Sequence, residues 1–129
     1  MNEHGYAESS SPPSPPTVSE HHTSVMATIA TQARRTNLIR VLELTATLDR
    51  LVQQPLDPAD WAAAERTAHQ LAGSAGTFGF HDVSALARSL ERFLTEARTT
   101  GVVRPDQLAR ARDQLSRAGE RLAGGPELG

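Results

Sequence analysis

"DPADWAAAERTAHQLAGSAGTFGF", residues 57–80, decides how this chain folds. Asp57 is a good helix N-cap, Pro58 suits the first helical position, and Asp60 sits where the helix dipole favours a negative charge. Trp61, Ala64, Ala68, Leu71, Ala75 and Phe78 then recur at alternating steps of three and four residues. That spacing keeps them on one stripe of a helix, the seam a bundle helix presents to its neighbours. Gly79 follows as a C-terminal stop. The seam assigns Trp61 and Phe78 to the core, and Phe80 to the space under the turn that follows.

Three further stripes flank this one. A first helix is expected within 25–53, carried by Leu38, Val41, Leu42, Leu44, Leu48, Leu51 and Val52, with Ile29 extending it. "QQPLDP" breaks it. A third helix is expected over about 81–99, with Val83, Leu86, Ala87, Leu90, Phe93, Leu94 and Ala97 inward and Gly101 near its C-cap. A fourth runs from Pro105 to Ala123, where Leu108, Ala111, Leu115, Ala118 and Leu122 again step by three and four. Nothing alternates like a strand. Four helices with short connections predict an all-α fold, an antiparallel up-and-down four-helix bundle over 25–123. Residues 1–24 are rich in Ser and Pro and poor in large apolar side chains, so they are expected to form a disordered N-terminal tail. Residues 124–129 are expected to form a flexible C-terminal tail.

Composition narrows the function. A net charge of −2 gives no basic patch for nucleic acid, and the absence of cysteine excludes thiolate chemistry and disulfides. All thirteen basic residues are arginine. The chain carries neither a signal-peptide pattern nor a run apolar enough to span a membrane, so a cytoplasmic protein is expected. No metal-binding motif, phosphate loop or serine-hydrolase arrangement is present.

The remaining feature is His69. It follows the seam residue Ala68, so it is turned about 100° away from the core. Its helical neighbours are Glu65, Arg66, Ala72 and Gly73, and Gly76 lies a turn further on. An interior helix glycine costs about 1 kcal/mol relative to alanine. Gly73 and Gly76 therefore need a reason: either they leave room for a partner to approach His69, or they let a neighbouring helix pack closely. A neutral imidazole on such a face can act as a nucleophile. Glu65 could fix its tautomer, Arg66 could offset the charge of an added phosphoryl group, and Gln70 could orient a phosphoryl oxygen or a partner. Each of these residues also fits an ordinary solvated helix face. His81, His21 and His22 offer no comparable context.

The segment "AHQLAGSAGTFGF" resembles the signature of the histidine-containing phosphotransfer (HPt) domain family. That signature is His-x-Leu-Lys-Gly, then small residues and a hydrophobic-Gly pair. Here it reads His69, Leu71, Gly73, Ser74-Ala75-Gly76 and Phe78-Gly79, within a four-helix layout over roughly 34–123. The family's lysine is replaced by Ala72. The resemblance implies that His69 is the phosphoacceptor, on Nε2, in a two-component phosphorelay. It implies a phosphocarrier without autonomous kinase activity. The implied partners are response-regulator receiver domains or a hybrid histidine kinase, with Mg²⁺ held by the receiver and no cofactor in this chain. The alternative is an HPt-like module that docks a receiver or kinase without phosphotransfer.

Overall fold

A computed structural model describes residues 17–124. They form four helices: α1 (Val18–Gln53), α2 (Pro58–Thr77), α3 (His81–Thr100) and α4 (Pro105–Gly124). Each helix packs on its two neighbours around a square: α1 on α2 and α4, α3 on α2 and α4, with no contact across the diagonals. Short turns force successive helices to run antiparallel, and this is the expected up-and-down bundle.

The second helix is built as the sequence predicts. Asp57 Oδ1 accepts from the amides of Ala59 and Asp60, both at 3.0 Å. Trp61, Ala64, Ala68, Leu71 and Ala75 are buried. The indole Nε1–H of Trp61 donates to the carbonyl of Leu94 at 3.1 Å, which ties α2 to α3. Across the core lie Val41, Leu44, Leu48 and Leu51 of α1, Leu90 and Leu94 of α3, and Leu108 and Leu115 of α4. Asn37, only 1% exposed, accepts from Ser74 Oγ at 2.6 Å and donates to the carbonyl of Ala33 at 2.9 Å. This buried polar link fixes α1 against the turn of α2 that follows His69.

Three expectations need correction. The first helix begins at Val18, not near residue 25, so residues 18–24 are helical and do not belong to a disordered tail. Thr17 caps it: its Oγ1 accepts from the amide of Glu20 at 3.1 Å. The Thr-x-x-Glu spacing at 17–20 is a recognisable N-terminal signal that Ser/Pro composition hides. Residues 17–32 are exposed throughout, so α1 projects beyond the bundle by several turns. Gly124, expected in the C-terminal tail, is likewise helical, the last residue of α4, and the parts of the expected tails at 1–16 and 125–129 lie outside the described residues.

The second correction is Phe78, which is 48% exposed and not core. The helix ends at Thr77, so the seam's phase no longer governs the next residue. Gly79 takes a left-handed φ of +84°, and the amide of Phe80 then bonds back to the carbonyl of Ala75 at 2.8 Å. Phe80 thereby takes the inward place and packs against the core. The third is Leu42, 57% exposed, which sits on the flank of α1 rather than on its buried stripe.

Candidate functional site

His69 stands on the outer face of α2 with its side chain 76% exposed. Its Nδ1 lies 2.9 Å from Oε2 of Glu91, a residue of α3. A carboxylate only accepts hydrogen bonds, so in the neutral imidazole this contact places the proton on Nδ1 and leaves the lone pair on Nε2. The ring is thus held by the neighbouring helix while its second nitrogen remains available.

Glu65, expected to fix the tautomer, does not do so. Its carboxylate accepts from Arg98 Nε at 2.7 Å and from Thr95 Oγ1 at 3.3 Å, both on α3. The bond to Glu65, reinforced by its charge, pushes the Arg98 guanidinium above its ordinary value. Glu91 takes the role instead. The pairing joins residues 22 positions apart. Helical periodicity, which relates residues one turn apart, carries no signal for it.

On the N-terminal side of His69 the surface falls into an open groove of about 700 Å³. Leu56, Pro58, Trp61, Ala62 and Arg66 line it, and His69 and Gln70 close its edge. Arg66 and Gln70 are exposed and share this groove with the imidazole.

On the other side the two glycines have different surroundings. A Cβ at Gly73 would meet nothing within 4 Å. A Cβ at Gly76 would lie 3.1 Å from Ser84 Oγ and 3.6 Å from Arg88 Nη2. Gly76 therefore serves the packing of α2 on α3. Gly73 serves no packing within the bundle and leaves the surface low beside His69. Ala72 is 5% exposed and belongs to the core cluster, and its carbonyl accepts from Ser84 Oγ at 2.8 Å. The site therefore gathers His69, Glu91, Arg66, Gln70 and Gly73, while Glu65, Ala72 and Gly76 hold α2 and α3 together behind it.

The family model that matches is the Hpt domain, over residues 32–121. The chain belongs to the Hpt domain family. Its match begins where α1 enters the bundle and leaves the projecting turns outside. The family is one of histidine phosphotransfer in phosphorelays, and its members are generally phosphocarriers rather than enzymes. No curated protein and no solved structure gives a significant match to this Hpt domain. Among the described residues, no group of three or more His, Cys, Asp or Glu side chains could hold a metal ion, and no helix is long and apolar enough to cross a membrane.

Proposed function

We propose that this Hpt domain carries a phosphoryl group on Nε2 of His69 between receiver domains, or from a hybrid histidine kinase to a receiver, in the cytoplasm. The observation that carries the reading is the 2.9 Å contact between His69 Nδ1 and Glu91 on an otherwise exposed imidazole.

The Nε2 lone pair attacks the phosphorus of an aspartyl phosphate in the receiver. An N–P bond forms, the acyl O–P bond breaks, and the receiver's aspartate leaves with the electron pair. The imidazole ring gains positive charge as it does so. Glu91, accepting the Nδ1–H bond, is placed to stabilise that charge. The reverse step loads a second receiver. Phosphoryl transfer depends mainly on positioning and electrostatics. The receiver supplies its own acidic pocket and Mg²⁺, so this chain's part is an oriented nucleophile on an accessible surface. The low shoulder at Gly73 and the apolar groove beyond Arg66 suit the approach of another folded domain.

The test uses a stand-alone receiver domain phosphorylated with acetyl phosphate and Mg²⁺. It is mixed with the native chain and with His69→Gln, and the intact masses are followed. The reading predicts acid-labile, base-stable phosphate on the native chain alone. A native chain that binds the receivers yet takes up no phosphate would favour docking without transfer.

A further inference from the structure

The row of α3 residues that faces α2 is Ser84, Arg88, Glu91, Thr95 and Arg98, at steps of four and three. Four of the five hold a partner on α2. Ser84 bonds the carbonyl of Ala72, Glu91 bonds His69, and Thr95 and Arg98 both bond Glu65. Arg88 is the exception: it is exposed and forms no hydrogen bond or ion pair with a described side chain. Its Nη2 lies over Gly76, 3.6 Å from where a Cβ would stand. Next to it, Gly73 has open space above it.

On this face Glu65 and Glu91 match Arg88 and Arg98 in number, yet Arg88 is left without a partner among the described residues. The carboxylates of Glu65 and Glu91 are both engaged, and Arg98 is committed to Glu65. Ala72 brings no charge. Beyond His69, on the side away from the apolar groove, the surface is a shelf of glycine backbone edged by the unpaired guanidinium of Arg88. A guanidinium presents paired donors that match a carboxylate.

We propose that Arg88 is the docking cation of this Hpt domain: it receives a carboxylate from the acidic rim of a receiver seated on the Gly73–Gly76 shelf. This rests on the phosphotransfer reading of His69. The guanidinium lies over Gly76, about two turns of α2 beyond His69, so its part is to hold the partner and not to touch the transferred phosphoryl group. Such an edge charge acts on association and on its salt dependence.

Two phosphodonors separate the possibilities. Phosphoramidate is small and needs no docking, whereas a receiver phosphorylated with acetyl phosphate must dock. For Arg88→Gln we expect the half-saturating receiver concentration to rise about tenfold at low salt, with a flatter dependence on salt. The rate of labelling by phosphoramidate stays at the native value, and Arg88→Lys, which keeps the charge, stays within about threefold of native. An unchanged half-saturating concentration in Arg88→Gln would overturn the proposal. So would an equal slowing with both donors, which would place Arg88 at the phosphoryl group. A native chain unlabelled by either donor would instead bring down the reading of His69 itself, and this proposal with it.

Discussion

Gly73→Ala should make the protein more stable and no better at its work. The backbone at Gly73 is ordinary helix; the only glycines with positive φ among the described residues are Gly79 and Gly101. The added methyl would meet nothing within 4 Å. The substitution therefore recovers the helix-propensity difference, about 1 kcal/mol, part of it through the unfolded chain. For a domain of this size that is a rise of about 4 °C in Tm. Gly76→Ala recovers the same backbone term, but its methyl would come within 3.1 Å of Ser84 Oγ. Ser84 is 3% exposed and bonded to Ala72, so it has little room to give. Its gain should be smaller than that at Gly73. Thermal and urea unfolding of both variants measure the difference. A bulkier side chain, Gly73→Leu, should slow phosphoryl uptake from a receiver while leaving labelling by phosphoramidate unaltered. If Gly73→Ala lowers Tm, or if Gly76→Ala is the more stabilising of the two, the separation of a packing glycine from a surface glycine is wrong.

Other perturbations bear on the site and its frame. Glu91→Ala should slow labelling of His69 by phosphoramidate about fivefold, because an exposed hydrogen bond of this kind is worth about 1 kcal/mol. Glu91→Gln keeps an acceptor for Nδ1–H and should lose less; single-turnover labelling compares the two. Trp61→Phe removes the 3.1 Å bond to Leu94 and part of a buried ring, so urea unfolding should report a loss of about 1–3 kcal/mol. Deleting residues 1–28 removes only exposed turns of α1 from the described structure. Circular dichroism should lose that helical signal while the unfolding free energy of the bundle stays within about 0.5 kcal/mol.

The seam from Trp61 to Ala75 was legible because one helix face buried on one core obeys a simple period. The same logic failed at the seam's C-terminal end and at one position of α1. Phe78 keeps the spacing but lies past the last helical residue, and the left-handed turn at Gly79 gives its place to Phe80. Leu42 keeps the apolar character of α1 but sits on the flank of its buried face. The start of α1 was obscured by composition, although Thr17 and Glu20 mark it locally. Around His69, the outward turn of the histidine followed from its neighbours along the helix. Its partner did not, since Glu91 arrives from another helix, and Glu65, the carboxylate one turn away, is held by Arg98. The two glycines looked alike in sequence and were told apart only by what stands opposite them.

If Glu91 fixes the His69 ring through Nδ1, Nε2 carries the phosphoryl group. Long-range ¹H–¹⁵N spectra of the imidazoles, recorded before and after phosphoramidate treatment, test it directly. His69 alone should be modified, with phosphorus on Nε2 and the proton on Nδ1. Phosphorylation at Nδ1 of His69, or at another histidine in its place, would contradict it.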